Sequence, residues 1–169
     1  MAGAKAEVAV PAGVRELLRH TLATLAYRSG KTLRGAPQGF AEFQACASTR
    51  EPGEILAHLA DLFDWALSAA RTGNPEWNDS APLAWDKGVE RFFTALGRFE
   101  SYLVSGARLY VPPERLFQGP IADALTHVGQ IAMLRRMAGA PVRGENYFVA
   151  DIVSGRVGPH QSAPRREFD

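Results

Sequence analysis

The sequence has little cysteine. Cys46 is the only one in the chain, which excludes an internal disulfide and a cysteine-based zinc site. This usage fits a reducing compartment. A single thiol without a motif around it is most often a small buried or semi-buried residue, and this is the interpretation we give to Cys46.

Long apolar runs and long basic runs are also missing. Nowhere do about 18 apolar residues follow one another, so no membrane-spanning helix is predicted, and the N-terminal stretch lacks the apolar core of a signal peptide. The sequence contains 19 Lys and Arg against 18 Asp and Glu. Because the basic residues form no long run, neither nucleic acid nor a membrane is an expected partner. We predict a cytoplasmic protein.

The remaining composition is that of an ordinary folded domain. The chain has 169 residues, of which 46% are hydrophobic and 22% are charged. This length is sufficient for one domain with its own hydrophobic core. We therefore predict a single domain over residues 1–158, followed by a polar tail over residues 159–169 that is expected to be flexible.

Apolar residues recur at helical spacing in four segments, which predicts an all-α bundle. The expected helices cover residues 12–29, 48–73, 80–106 and 119–139. Ser48 or Thr49 is the expected cap of the second helix, and Ser80 that of the third. A glycine-containing connector over residues 29–48 is predicted to be a loop, with Phe40 and Phe43 as candidates for anchoring it.

The fourth helix carries polar residues within the apolar sequence IADALTHVGQIAMLRRMAGAPV. Asp123 and His127 are four residues apart, so their Cβ atoms project side by side at about 6 Å. His58 lies beside the buried stripe of the second helix and is a third candidate ligand. Two imidazoles and one carboxylate would suit zinc, nickel, iron or manganese. The alternative is a packed histidine and an ordinary surface ion pair.

Four neighbouring residues have structural interpretations. Asp61 and Asp64 form either the solvated edge of the second helix or a set of groups that orient an imidazole. Gly129 inside a helix costs about 1 kcal/mol relative to alanine, which predicts the close approach of another helix. Gln130 is a candidate for a hydrogen bond across the bundle.

The sequences ILAHLADLFDWAL and ADALTHVGQIAMLRRMAGAPV resemble the DinB/YfiT-like superfamily of bacterial helical proteins. His127-Val128-Gly129-Gln130, with the following apolar and basic run and a glycine at the helix end, matches the signature of that family's fourth helix. The resemblance spans residues 12–142. It implies an up-down four-helix bundle, with a short C-terminal extension here, in which three histidines bind a divalent metal.

By position, the resemblance places the metal ligands on His58, Asp123 and His127. Asp123 departs from the family pattern, which usually has histidine there. Aspartate still binds metals through oxygen and shifts the preference toward zinc, iron or manganese. The alternative is a site that has lost its metal.

The resemblance also implies an activity. Family members include metal-dependent transferases that use low-molecular-weight thiols such as bacillithiol or mycothiol, so we expect thiol S-transferase chemistry on a small-molecule substrate and a homodimer. A metal-dependent hydrolase is the second hypothesis, with Asp61 and Glu145 as nominees for its general base. The third is a non-enzymatic dimeric binding or structural protein, whose interface would draw on the tryptophans Trp65, Trp77 and Trp85.

Overall fold

The computed structural model describes residues 11–168, and most of them are helical. The helices are α1 (Ala12–Leu33), α2 (Pro52–Thr72), α3 (Trp85–Val104), the short α4 (Pro113–Leu116) and α5 (Ala122–Met137). The prediction of an all-α protein is confirmed at the level of fold class. Residues 1–10, where the absence of a signal peptide was predicted, lie outside the described range.

The four long helices enclose one hydrophobic core. α2 packs against α3 and α5, and α1 packs against the same two helices. Apolar residues three and four apart give each helix a continuous apolar face, which explains this packing. The core includes the fully buried residues Leu22, Leu25, Leu59, Phe63, Phe92, Leu96, Phe99 and Ile131. Within residues 11–168, no helix combines the length and apolar character needed to cross a bilayer.

α1 extends beyond its predicted end and finishes at Leu33. Arg135 on α5 contacts this end: its guanidinium donates hydrogen bonds to the backbone carbonyl oxygens of Thr32 at 3.0 Å, Arg34 at 2.6 Å and Gly35 at 2.9 Å. Carbonyl groups at the end of a helix lack partners within the helix. A side chain distant in sequence supplies those partners here, which a local sequence pattern does not indicate.

α2 begins with a reciprocal cap that differs from the prediction. Glu51 is the N-cap, and its N–H donates to the Glu54 carboxylate at 3.0 Å, which is the pattern of a capping box. Thr49, one of the two predicted caps, instead accepts a hydrogen bond from the backbone N–H of Cys46 at 3.1 Å. The helix ends, as predicted, before Gly73, whose φ of 69° suits glycine.

α3 and α5 also begin at other positions than predicted. Ser80 does not cap α3, which starts at Trp85, because Ser80 donates both its N–H and its hydroxyl to Asp61. The helical path that was predicted to begin at residue 119 begins earlier, with α4 at Pro113. A π-helical stretch, Phe117–Ile121, joins α4 to α5. The wider π turn accommodates Pro120, which has no N–H to donate. The proline therefore lies within the helical path and does not mark its start.

The connector between α1 and α2 is anchored by an aromatic residue, as expected. Phe40 is buried and packs edge-on against Trp85, with ring centroids 5.2 Å apart, and it stacks on Phe43. Cys46 follows on the same connector and is exposed. The prediction of a buried or semi-buried thiol is therefore wrong, because this part of the connector runs over the surface.

The C-terminal segment is tied to α1. Strand β1 (Gly144–Glu145) pairs antiparallel with β2 (Glu167–Phe168), which lies within the tail for which the composition predicts flexibility. Lys31 Nζ lies 2.9 Å from a Glu145 oxygen and 2.6 Å from a Glu167 oxygen. The Tyr27 hydroxyl donates to Glu145. Burial is the main cause that raises the pKa of Tyr27, and this hydrogen bond is the second.

Candidate metal centre

α2 and α5 bring His58, Asp123 and His127 together. One ligand atom from each residue lies within 4.8 Å of the others. The His58 Nε2 atom is 3.3 Å from one Asp123 oxygen, and the His127 Nε2 atom is 3.5 Å from the other. In tetrahedral zinc sites with bonds of about 2.0–2.1 Å, neighbouring ligand atoms are about 3.3–3.4 Å apart. The two nitrogen–oxygen distances are close to this value but reach different oxygens of Asp123, so the three side chains lie near enough to contact one ion after small rotations.

The two imidazoles reach this point from different helices. Asp123 lies in the first turn of α5 and His127 one turn later, so both project from one face of that helix. His58 comes from α2, and its ring centroid lies 4.7 Å from that of His127, with the rings nearly perpendicular at 84°. The packing of α2 on α5 therefore completes a set of ligands that neither helix contains alone.

Gln130 controls the orientation of His127. The side-chain oxygen of Gln130 lies 2.8 Å from His127 Nδ1, so it can accept from Nδ1–H, while the Nε2 atom faces Asp123. Metal-binding histidines usually have such a partner on the second ring nitrogen. The prediction that Gln130 bonds across the bundle is wrong, because its partner lies on the same helix.

No other helix approaches Gly129 closely. It is exposed, and a Cβ atom built on it would meet nothing within 4 Å. The expected close approach of another helix is therefore wrong. The structure shows no reason for glycine at this position.

The cluster is partly open to solvent. The exposed fraction of the side chain is 20% for His58 and 13% for His127, against 44% for Asp123. Among the residues that the structure describes, Asp123 forms ion pairs only with these two histidines. Because no lysine or arginine of residues 11–168 pairs with the carboxylate, its charge is available to a bound cation.

A cavity of about 550 Å³ adjoins the cluster. His58 and Asp123 form part of its wall, together with Trp65, Trp77 and Gln118. We call it the tryptophan cavity, and its volume lies in the range of small-molecule sites, about 300–1,000 Å³. Trp77 is also close to His58, with ring centroids 5.2 Å apart. Two of the tryptophans considered for a dimer interface thus lie beside the candidate ligands.

Asp61 and Asp64 belong to a separate network. Asp61 is buried and accepts from Arg91 at 2.5 Å, while Asp64 accepts from Arg98 at 2.6 Å. The interpretation of Asp61 as part of a solvated edge is wrong, because α3 covers this side of α2 and supplies both arginines.

Both residues considered as the general base, Asp61 and Glu145, already have partners. Asp61 accepts hydrogen bonds from Arg91 and Ser80. Glu145 is buried against α1 and accepts from Tyr27 and Lys31. Both carboxylates are therefore engaged in structural contacts.

No protein-family model, curated protein or solved structure matches the chain. Membership of the DinB/YfiT-like superfamily therefore stays a prediction that rests on the sequence motifs.

Proposed function

We propose that the protein is a divalent-metal-dependent enzyme of the DinB/YfiT-like superfamily, with an up-down four-helix bundle and thiol S-transferase activity. The observation that carries this proposal is the convergence of His58, Asp123 and His127 from two helices. The orientation of His127 by Gln130 supports it, because the same contact leaves the Nε2 atom free to act as a ligand.

The donor set fits a divalent metal. Two imidazole nitrogens and one carboxylate oxygen suit zinc, iron or manganese better than the softest metals, and they suit nickel as well. Such an ion supplies Lewis acidity and favours the thiolate form of a thiol. His58 and His127 would hold the ion through neutral nitrogens, while Asp123 would offset one unit of its charge.

The tryptophan cavity is the proposed position of the small-molecule substrate. Trp65 and Trp77 provide apolar walls beside His58 and Asp123, and such walls exclude water from one side of a bound molecule. We propose that a low-molecular-weight thiol of the bacillithiol or mycothiol kind is the second substrate. Its sulfur forms a bond to an electrophilic carbon as the leaving group departs, and the thiol proton is released to solvent.

Transferase chemistry is favoured over hydrolysis because of the engaged carboxylates. A hydrolase needs a general base that takes a proton from water, and both nominees, Asp61 and Glu145, already hold cations. In a thiol transferase the nucleophile arrives on the cosubstrate, so the chain itself supplies none.

A thiol-transfer assay tests the proposal. The zinc-, nickel- or manganese-loaded protein is mixed with an aryl halide electrophile and with bacillithiol, mycothiol or cysteine, and the thioether product is measured by mass spectrometry. We expect product with the wild type and with His20→Ala, which removes an exposed histidine outside the cluster. His127→Ala should lose the activity. Equal product formation with His127→Ala, or none with any metal-loaded wild type, contradicts the proposal.

A homodimer is part of the same proposal. It is tested by light scattering on the full chain, where a monomer at micromolar concentration would contradict it. A metal-free dimer without turnover would favour a non-enzymatic binding or structural protein instead.

A further inference from the structure

A second cavity, of about 500 Å³, lies between α2, α5 and the segment that precedes α2. We call it the methionine pocket. Its wall includes residues from all three elements, namely Cys46, Arg50, Ile55, Met133, Leu134 and Met137. Gln130 also lines the pocket, on the same helix as the metal cluster. The tryptophan cavity has none of these residues in its wall.

The floor of the methionine pocket is buried and its rim is exposed. Ile55 and Leu134 are 2% and 5% exposed, whereas Met133 and Met137 are 57% and 56% exposed. Two large apolar side chains on successive turns of one helix therefore face solvent at the entrance. Methionine side chains adapt to irregular apolar ligands because they are unbranched and flexible. The shape and chemistry favour an apolar ligand body.

Arg50 adds one positive charge to this apolar wall. It is exposed, and within residues 11–168 no carboxylate forms an ion pair with it. Its hydrogen bond is a long one, from Nη2 to the carbonyl oxygen of Glu54 at 3.5 Å. Two neighbouring carboxylates have other partners, since Glu51 accepts from Gln44 and Glu54 from the Glu51 N–H. The guanidinium can therefore bind a carboxylate through two parallel hydrogen bonds.

We propose that the methionine pocket binds a small molecule with an unbranched apolar chain and one carboxylate. The chain lies between Met133, Met137 and the buried floor, and the carboxylate pairs with Arg50. The volume lies within the range of small-molecule sites, and the single cation matches a ligand with a single anionic group. This site does not depend on the metal, because none of the three candidate metal ligands lines it.

Calorimetry with octanoate and octanol tests the proposal on the full chain. The two probes share the eight-carbon chain and differ in charge. We expect saturable one-to-one binding of octanoate, and we expect Arg50→Gln to weaken it about tenfold, because a hydrogen bond to a charged group is lost. Octanol should bind the wild type and Arg50→Gln equally. No saturable binding of octanoate, or the same affinity for octanoate in both proteins, overturns the proposal.

Cys46 provides an internal reporter of the position of the ligand. As the only thiol in the chain, it reacts alone with iodoacetamide, and it lies in the pocket wall. Saturating octanoate should slow its alkylation several-fold, as measured by intact mass. An unchanged rate in the presence of bound octanoate would place the ligand elsewhere and overturn the proposal.

Two substitutions at Met133 separate ligand binding from self-association. Because Met133 is exposed, neither Met133→Leu nor Met133→Glu disturbs the core. We expect Met133→Leu to retain octanoate affinity within about twofold, and Met133→Glu to lose at least about tenfold through repulsion and lost apolar contact. If Met133→Glu instead converts a dimer to a monomer and the wild type does not bind octanoate, the face is an interface between copies, which contradicts the proposal.

The proposals for the metal site and for the methionine pocket can be tested independently. His58→Ala should leave octanoate affinity unchanged, even though it removes a proposed metal ligand, because neither His58 nor the residues that its ring contacts line the pocket. Loss of octanoate binding in His58→Ala would contradict the independence of the pocket.

Discussion

α2 contributes residues to two polar clusters within about two turns, and the clusters differ in how their charges are balanced. The acid–arginine network contains two carboxylates, Asp61 and Asp64, and two permanent cations from α3. The candidate metal cluster contains one carboxylate and two imidazoles, with no lysine or arginine within ion-pair distance in the described part of the chain. A permanent cation completes the first cluster, whereas the second can accept one from solution.

This difference separates a structural role from a candidate functional one. A buried ion pair that is already complete resists change, since removing one partner leaves an uncompensated charge. In the candidate metal cluster, the exposed carboxylate faces two imidazoles and has access to solvent. Four predictions follow from this contrast, and we give them in order of decreasing effect.

The largest effect is expected in the acid–arginine network. Asp61→Ala should lower the free energy of unfolding by about 3–5 kcal/mol, because it leaves Arg91 without its main partner in a largely buried position. Urea unfolding measures this change. Arg98→Ala is the matched control, with an expected loss of at most about 1 kcal/mol for an exposed pair. If Asp61→Ala lowered the free energy of unfolding by less than about 1 kcal/mol, the acid–arginine network would not have the structural role that distinguishes it from the metal cluster.

The candidate metal cluster should respond to added metal. Zinc at about 100 times its dissociation constant should stabilise the wild type by about 2.7 kcal/mol. The control variant His20→Ala should gain as much, while His58→Ala should gain much less. Thermal unfolding with and without zinc provides the measurement. Equal stabilisation of His58→Ala would show that zinc acts at another site.

Gln130 should increase the metal affinity of this cluster without binding the metal itself. Gln130→Ala removes the partner of His127 Nδ1, and loss of such a contact weakens metal binding about 10–100-fold. Gln130→Glu should retain the affinity because it keeps an acceptor oxygen. Competition with a chromophoric chelator gives the dissociation constants. Unchanged affinity in Gln130→Ala would remove the orienting role from the account.

Cys46 extends the comparison to an anion that hydrogen bonds stabilise, first those from the side chains of Ser48 and Thr49 and then those from their backbone N–H groups. Hydrogen bonds from the side chains of Ser48 and Thr49 lower the pKa of this thiol to about 7, so about half of it is thiolate at neutral pH. With Ser48→Ala and Thr49→Ala combined, the pKa should return toward about 8.5. The thiolate fraction then falls, while the higher intrinsic nucleophilicity partly compensates.

We therefore expect alkylation at pH 7 to slow about threefold in the double variant. In the wild type, the rate should rise with pH to a plateau above about pH 8, whereas the double variant should continue to gain up to about pH 9.5. Rates against pH, measured with iodoacetamide, give both curves. Superimposable curves would mean that the two hydroxyl groups do not stabilise the thiolate.

The sequence predicted which residues lie close together where the relevant spacing is local. Asp123 and His127 are one turn apart on a single helix, and His58 lies beside the apolar stripe that packs on that helix. These two regularities bring the three residues together in the structure. The same logic was available for Gln130, because a residue three positions after His127 lies on the same face of the helix.

Partners that come from distant parts of the chain escaped prediction. Asp61 is buried because α3 supplies Arg91, and Ser80 is occupied with Asp61, so it cannot cap a helix. The end of α1 is contacted by Arg135 from α5. Each of these contacts joins elements whose packing is not encoded in a local pattern. The exposure of Cys46 depends likewise on the path of a connector.

The most direct test of the central claim is the metal content of the full chain. The protein is purified without an affinity tag or chelator, incubated with zinc, nickel or manganese, desalted, and measured by plasma mass spectrometry beside Asp123→Ala, His127→Ala and the control His20→Ala. The account predicts about one metal ion per chain in the wild type and in His20→Ala, and a strong loss in the other two. Absence of metal from the wild type, or equal content in all four proteins, would contradict it.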